Sequence, residues 1–224
     1  MTRAIFVRHG ESVSNAHPEM ASLPTAEGDR LTELGREQAR AAAETLAAME
    51  PTALLSSSMG RAKETAELIG ERIGLPVQEV PYINELRESR NYATMSPEEQ
   101  KLRRWSSWMA EHAADPDYAP GDAESFNAVL ARARDFKRRI EAEDGPQTVL
   151  AVTHGIFLRF LLFDTLLGPE FTVRDVGRLW LLRTTNCGLS ELVRGEPRHP
   201  ADPEIDGWRC AVWMQPLAGP PGLG

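Results

Sequence analysis

The sequence predicts an α/β fold, with a mostly parallel sheet sandwiched by helices on both faces. Strand-like apolar runs alternate with helical segments along the chain, and two of the strands end in the same His-Gly pair. The runs at residues 4–7 and 148–153 have the length and the β-branched or aromatic composition of buried strands. His9 and His154, each followed by glycine, come directly after them. Because ligands bind at the carboxyl ends of strands in open parallel sheets, both histidines are expected at one functional edge.

The remaining elements follow from periodicity and from residues typical of helix ends. Thr32 and Ser125 precede apolar stripes at helical spacing, so each is expected to cap a helix N-terminus. Gly74 is followed by Leu-Pro and is expected to end a helix. The predicted helices cover residues 33–49, 61–73, 126–144 and 156–167. The further predicted strands cover residues 53–56, 77–80, 179–183, 189–193 and 208–214.

Residues 81–122 interrupt the strand–helix alternation and are predicted to form a helical insert over the active-site edge. Residues 96–99, Ser-Pro-Glu-Glu, resemble a capping box with proline at the first helical position. The insert either packs on the sheet or acts as a lid that shapes substrate choice, and the two roles are compatible. Residues 17–30 are expected to form a loop over the same edge. We therefore predict one domain at residues 1–215, followed by a Gly/Pro-rich tail at residues 216–224.

Charge and composition limit the classes of partner. The 224 residues carry a formal net charge of −8, which argues against binding to nucleic acid or to anionic membranes. The longest apolar stretch, residues 156–167, is too short to span a bilayer. Cys187 and Cys210 have no metal-ligand spacing and are expected as reduced thiols. With no signal peptide before the first strand, the expected location is the cytoplasm, and the oligomeric state stays open, a homodimer among the alternatives.

Two arginines join the two histidines in a candidate phosphoryl site. Arg61 begins a helix just after a strand, where free backbone N–H groups and the helix dipole favour an anion. Alone it would be more typical of a solvated helix residue, but Arg8 adds a second guanidinium group, and such groups bind phosphate oxygens in pairs. A neutral imidazole is a competent nucleophile if an acceptor holds its other nitrogen. One histidine is therefore expected to attack phosphorus while the other stabilises the charge on its oxygens.

This chemistry needs no metal ion and no organic cofactor. The chain has no group of aspartates and histidines at metal-ligand spacing, and two arginines beside two histidines would repel a cation. The expected partner is a small phosphorylated substrate.

Three motifs, taken together, resemble those of the histidine phosphatase superfamily, which includes phosphoglycerate mutases that work through a phosphohistidine without a metal. In chain order the motifs are Arg8-His9-Gly10-Glu11 with Asn15, Gly60-Arg61-Ala62 with Glu64-Thr65-Ala66, and Thr153-His154-Gly155. Weaker matches at Leu31-Thr32, at residues 121–125 and at Asn186 agree with them. The resemblance spans about residues 4–192, and it implies the phosphoglycerate mutase-like fold.

The resemblance also implies roles for the site residues. His9 is implied to be the nucleophile that becomes phosphorylated. The residues implied to bind the phosphoryl oxygens are Arg8, Arg61 and His154, with the loop residue Asn15 near the phosphate.

The family places a proton-donating glutamate, in a Leu-x-Glu pattern, between the Arg61 helix and the insert. Glu88, in the sequence Leu-Arg-Glu, fits this pattern and is the predicted donor. Glu85, in the sequence Ile-Asn-Glu, fits less well and is the alternative. Residues 89–93 depart from the Gly and Trp-Glu-Gly of many members, so the resemblance does not define the substrate side of the pocket.

The predicted function is hydrolysis of a phosphomonoester through a phosphohistidine intermediate. A mutase that uses the same site is the alternative enzyme, and it would have to keep water away from the phosphoenzyme. A non-catalytic phosphate-binding module is the alternative outside enzymes, although such a module would not need to keep a nucleophile.

Overall fold

The computed structural model describes residues 1–17, 26–87, 115–119, 121–142, 147–195 and 207–217. The strands are β1 (Thr2–Arg8), β2 (Ala53–Ser56), β3 (Val77–Glu79), β4 (Thr148–Thr153), β5 (Gly188–Arg194) and β6 (Trp208–Pro216). The helices are α1 (Val13–Ala16), α2 (Glu33–Ala47), α3 (Gly60–Ile73), α4 (Phe126–Glu141), α5 (Gly155–Leu167) and α6 (Val176–Leu179). Short 3₁₀ turns lie at Pro81–Ile83, Gly168–Glu170 and Val173–Asp175.

The described strands form a single sheet in the order β3-β2-β4-β1-β5-β6. The pairs β1–β4, β4–β2 and β2–β3 are parallel, whereas β5 runs antiparallel to β1 and to β6. The register sets Arg8 beside Thr153, so the residues that follow, His9 and His154, leave the sheet at the same edge. The predicted α/β fold with a mostly parallel sheet is confirmed.

The central strand β1 is buried on both faces because its alternate side chains pack under helices on opposite sides of the sheet. Ile5 and Val7 share a core cluster with the apolar faces of α2 and α3. Ala4 and Phe6 belong to a second cluster with α4 and α5. Burial of a side chain such as Phe6 contributes about 1.5–3 kcal/mol relative to exposure. With both faces covered, polar groups gather at the carboxyl edge of the sheet.

The predicted caps at Thr32 and Ser125 and the predicted stop at Gly74 agree with the structure, whereas the helix predicted to reach residue 49 ends at Ala47. Thr32 Oγ1 accepts a hydrogen bond from Gly35 N at 3.0 Å, and Ser125 Oγ accepts one from Ala128 N at 3.1 Å. Gly74 ends α3 with φ of 75°, in the left-handed region that favours glycine.

The turn after β1 lies directly against the first turn of α2. A Cβ atom on Gly10 would lie 2.5 Å from the carbonyl oxygen of Gly35, so only glycine fits this approach. Gly10 N also donates to Thr65 Oγ1 on α3, at 3.0 Å. These contacts fix the backbone on the C-terminal side of His9.

The strand predicted at residues 179–183 is wrong. Leu179 is the last residue of α6, and the chain then turns, which leaves Leu181 81% exposed. The carbonyl oxygen of Leu182 accepts from Arg159 Nε and Nη2, so it binds a side chain rather than a neighbouring strand. A short apolar run does not distinguish a strand from a helix end, and the capping box that starts at Thr172 was the overlooked helix signal.

Several other predictions concern segments at the edge of the described residues. Strand β6 continues to Pro216, which pairs with Gly188, so residue 216 belongs to the sheet rather than to the tail. The predicted helix after residues 96–99, and most of the insert at 81–122, lie outside the described residues, as do residues 218–224. Helix α1 was not predicted.

Among the described helices, none combines the length and the apolar character that crossing a membrane requires.

Candidate active site

The two strand-terminal histidines lie side by side at the carboxyl edge of the sheet. Their ring centroids are 5.1 Å apart, with 55° between the ring planes. Both side chains are buried, and His9 N donates to the carbonyl oxygen of Thr153 at 3.0 Å. The structure therefore brings His9 and His154 together, as the strand order requires.

His9 is held in one tautomer. Its Nδ1 lies 2.7 Å from the carbonyl oxygen of Gly10, and a carbonyl oxygen only accepts, so Nδ1 carries the proton. Its Nε2 is then unprotonated and accepts from Arg61 Nε at 3.1 Å. The ring consequently directs a lone pair towards a guanidinium group at the start of α3.

Burial lowers the pKa of both histidines well below the usual value. For His9 the next contributions come from the charges of Arg61 and Arg8. For His154 they come from Arg61, then His9 and Arg8. Both rings are therefore neutral at pH 7, which is the form required of a nitrogen nucleophile.

We expect the free energy of unfolding to fall as the pH drops below about 6.5, the ordinary histidine pKa. In that range the unfolded chain binds protons that the buried His9 and His154 do not, so acid favours unfolding. Each histidine contributes a slope of up to about 1.4 kcal/mol per pH unit, until the pH reaches its folded-state pKa. Urea unfolding between pH 5 and 8 measures this slope.

His9→Gln should reduce that slope, because it removes one of the two buried imidazoles. If the free energy of unfolding of wild type and of His9→Gln depended equally on pH, the contribution of buried His9 would be contradicted.

The buried guanidinium group of Arg8 does not form all of its possible hydrogen bonds with the described residues. Its Nη1 donates to the carbonyl oxygen of Thr184 at 3.2 Å, while its Nε is buried without a hydrogen-bond partner among the described residues. Burial, above all, lowers the pKa of Arg8 to about 10, and the nearby Glu85 acts in the opposite direction. A buried cation with an unpaired N–H is a site for an anion.

Arg61 is anchored by a carboxylate that the sequence analysis missed. Asp29 Oδ1 accepts from Arg61 Nη1 at 2.5 Å, and Asp29 Oδ2 accepts from Gly60 N at 2.6 Å. The carboxylate thus binds the N-terminus of α3 and its arginine at once, which orients Arg61 Nε towards His9. No short-range pattern links Asp29 to a helix that begins 31 residues later.

Asn15 reaches the site through a second asparagine. Its Oδ1 accepts from Asn186 Nδ2 at 3.1 Å, and the same Nδ2 donates to the carbonyl oxygen of His9 at 3.1 Å. Asn15 is therefore linked to the backbone of His9 by Asn186, and its place near the phosphate stays a prediction.

His154 is bound by Ser57, whose Oγ lies 2.7 Å from Nε2 of the imidazole. The same Ser57 Oγ lies 2.7 Å from Asn84 Oδ1. Neither Ser57 nor Asn84 was predicted as a site residue. Ser57 belongs to the turn that leads to Arg61, so its proximity to that residue in the chain was the available signal.

The structure brings Glu85 to the site, whereas Glu88 lies outside the described residues. Glu85 Oε2 accepts from Ile156 N at 3.1 Å, and its Oε1 accepts from Phe157 N at 3.0 Å. These N–H groups belong to the first turn of α5, directly after His154. The carboxylate also lies close enough to Arg8 to oppose the lowering of its pKa.

The described part of the chain contains no group of three or more His, Cys, Asp and Glu side chains that could hold a metal ion. The groups gathered at this edge are instead the guanidinium groups of Arg8 and Arg61, two neutral imidazoles and two carboxylates, that of Asp29 on Arg61 and that of Glu85 on α5. Such a set can bind a phosphoryl group, attack it from a ring nitrogen and exchange a proton with its ester oxygen.

Relatives of known sequence match most of the chain. A protein of Yersinia pestis (strain Pestoides F) named probable phosphoglycerate mutase GpmB is 30% identical over 227 residues, which cover 98% of this chain and 93% of the relative. A protein of the same name from Serratia proteamaculans (strain 568) is 28% identical over 223 residues, with the same coverage.

Solved structures show the same fold. A mycobacterial glucosyl-3-phosphoglycerate phosphatase complexed with VO3 has a TM-score of 0.70 and 28% identity, over 96% of this chain and 100% of that chain. Its complex with inorganic phosphate has a TM-score of 0.72 and 26% identity, over 98% and 100%. The sequence profile of the histidine phosphatase superfamily (branch 1) matches residues 4–201, nearly the whole chain. With its fold and its paired histidines, the chain belongs to the histidine phosphatase superfamily.

Proposed function

We propose that this chain is a phosphomonoester hydrolase that works through a phosphohistidine at His9 and needs no metal ion. The observation that carries the proposal is the state of His9, a neutral imidazole whose Nδ1 proton is held by Gly10 and whose Nε2 lone pair faces Arg61. The substrate is a small phosphorylated molecule, and the place of action is the cytoplasm, where the free thiols of Cys187 and Cys210 stay reduced.

In the first step, Arg8, Arg61 and His154 bind the phosphoryl oxygens, with Asn15 at the rim of the phosphate site. His9 Nε2 attacks phosphorus, and the bond from phosphorus to the ester oxygen breaks. The Nδ1 proton stays on the ring, held by the Gly10 carbonyl, and stabilises the positive charge that the phosphorylated ring acquires. The leaving oxygen takes a proton from a carboxylic acid.

In the second step, a water molecule attacks phosphorus and its proton returns to the same carboxylate. The N–P bond breaks, so that neutral His9 and inorganic phosphate are released. The two steps together hydrolyse one phosphomonoester and leave the enzyme unchanged.

We assign the acid to Glu85, with Glu88 as the competing candidate. The position of Glu85 supports this assignment, because its carboxylate lies at the first turn of α5, next to His154, and close to Arg8.

Mutase activity is the second candidate, because the relatives from Yersinia and Serratia are named probable phosphoglycerate mutases. The glucosyl-3-phosphoglycerate phosphatase among the structural relatives supports hydrolysis. The two activities differ in the acceptor of the phosphoryl group, which is water in one and a second hydroxyl of the substrate in the other. Product analysis with phosphoglycerates and with sugar phosphates distinguishes them.

We expect hydrolysis of p-nitrophenyl phosphate to survive EDTA and to be inhibited by vanadate. The proposed site neutralises the phosphoryl charge with Arg8 and Arg61, so a chelator removes nothing that catalysis needs. Vanadate adopts the five-coordinate geometry of phosphoryl transfer and should compete with substrate. Activity that disappears with EDTA and returns with a divalent metal would refute the mechanism, and a protein without any phosphatase or mutase turnover would be a phosphate-binding module.

A further inference from the structure

A chain of hydrogen bonds runs from His154 to the segment that carries Glu85. His154 Nε2 lies 2.7 Å from Ser57 Oγ, and Ser57 Oγ lies 2.7 Å from Asn84 Oδ1. His154 and Ser57 are fully buried. The other ring nitrogen of His154, Nδ1, is buried and has no hydrogen-bond partner among the described residues.

The direction of each hydrogen bond in this chain can be assigned. The backbone N–H of Ser58 donates to Asn84 Oδ1 at 2.9 Å, which identifies that atom as the carboxamide oxygen. A 2.7 Å contact between two oxygens requires a proton, and here the Ser57 hydroxyl supplies it. With that proton used, Ser57 Oγ accepts from His154 Nε2. Neutral His154 therefore carries its proton on Nε2 and a lone pair on Nδ1.

Asn84 is held in place independently of Ser57. The carbonyl oxygen of the preceding residue, Ile83, accepts from Thr153 Oγ1 at 2.6 Å. The carbonyl oxygen of Asn84 itself accepts from Arg132 Nη1 at 3.0 Å. The carboxamide is thus presented by a segment fixed to β4 and to α4, as a group that orients another side chain should be.

We propose that Asn84 is a positioning residue, which acts through Ser57 to keep the proton of neutral His154 on Nε2 and so leaves Nδ1 ready to take up a proton when an oxyanion binds. The protonated ring would donate to Ser57 and to the anion at the same time. The proposal rests on the proposed function, in which His154 stabilises the phosphoryl oxygens.

The charges around His154 explain why this proton arrives only with the anion. The charged and titratable groups that face the ring are Arg8 at the end of β1, His9 directly after it, Arg61 on α3 and Arg132 on α4. The carboxylate of Glu85 lies at the first turn of α5. Burial first, and then Arg61, lower the pKa of His154 and so disfavour a positive charge on its ring. A bound oxyanion adds negative charge and favours the imidazolium form.

The ring tautomer can be measured directly by ¹⁵N NMR on the intact protein, with His154→Gln used to assign the signals. We expect His154 in wild type to be protonated on Nε2 alone, and on both nitrogens after addition of orthovanadate. Ser57→Ala and Asn84→Ala should each give a mixture of tautomers. A wild-type ring protonated on Nδ1, or a ring that vanadate leaves neutral, would overturn the proposal.

A double-mutant cycle tests whether Asn84 acts through Ser57. Each single alanine variant should lose about 10-fold in kcat/KM for p-nitrophenyl phosphate, the lower end of the loss that follows removal of a partner that orients a metal-ligating histidine. If the two act as one unit, the double variant should match the single variants within about 2-fold. Losses that multiply would contradict the proposal. Asn127→Ala, which removes an exposed hydrogen bond to Asp117, is the matched control and should retain full activity.

Asn84→Asp keeps an acceptor for Ser57 and adds a negative charge, so it remains informative if Asn84→Ala does not fold. The added charge should raise the pKa of His154, followed by the ¹⁵N shifts of its ring across a pH titration, by about one unit or more. An unchanged His154 pKa would refute the role of Asn84. The tautomer measurement needs no turnover, so it decides this inference even if labelling of His9 fails and the proposed hydrolase mechanism falls.

Discussion

His9→Ala is expected to abolish both turnover and phosphoryl labelling of the protein. The variant removes the Nε2 lone pair that faces Arg61, and no other group in the proposed mechanism can form the covalent intermediate. Loss of a covalent nucleophile costs on the order of 10⁴-fold or more in kcat. Rapid quenching of the wild-type enzyme with a ³²P-labelled phosphomonoester should trap the label, which the variant should lack.

The chemistry of the label identifies the nucleophile. A phosphoramidate on histidine hydrolyses in acid and survives base, whereas a phosphoserine survives acid. His17→Ala is the matched control, since it removes a histidine near the end of α1 and should leave labelling intact. Acid-stable label on Ser12 or Ser14, whose hydroxyl oxygens lie 3.0 Å apart beside the site, would overturn the assignment to His9.

The positions of His9 and His154 could be predicted because they depend on strand order alone. Each follows an apolar run, and parallel neighbours bring such positions to one edge of a sheet. The helix N-caps at Thr32 and Ser125 could also be predicted, because a cap is a contact between residues within one turn of helix.

Contacts between residues that are distant in the chain could not be predicted from the sequence. Asp29 binds the start of α3, and Glu85 binds the start of α5, 71 residues further along the chain. A carboxylate has no periodicity that shows which helix N-terminus it will reach. The Leu-x-Glu pattern favoured Glu88 because Leu86 matches its first position. Fully buried Ile83 occupies the equivalent position before Glu85, and its burial appears only in the folded chain.

Glu85→Gln is expected to slow hydrolysis of an alkyl phosphate by about 10²-fold or more, and hydrolysis of p-nitrophenyl phosphate far less. An alkoxide is a poor, strongly basic leaving group, so it needs a proton as the bond to phosphorus breaks. The nitrophenolate ion is stable and needs little help. Glu88→Gln is the matched control and should leave both rates nearly unchanged. The measurement is kcat on glycerol phosphate and on p-nitrophenyl phosphate for the wild type and the two variants.

The contrast between the two substrates separates acid catalysis from a structural role of Glu85. Glutamine at this position would set an amide N–H₂ group against the N–H groups of Ile156 or Phe157, which both donate to the carboxylate. A structural disturbance of α5 would displace His154 and slow both substrates equally, because both need the phosphoryl group bound. Only the loss of a proton donor makes the cost depend on the basicity of the leaving group. Equal losses in Glu85→Gln would therefore assign Glu85 to the support of α5, and a selective loss in Glu88→Gln would assign the proton transfer to Glu88.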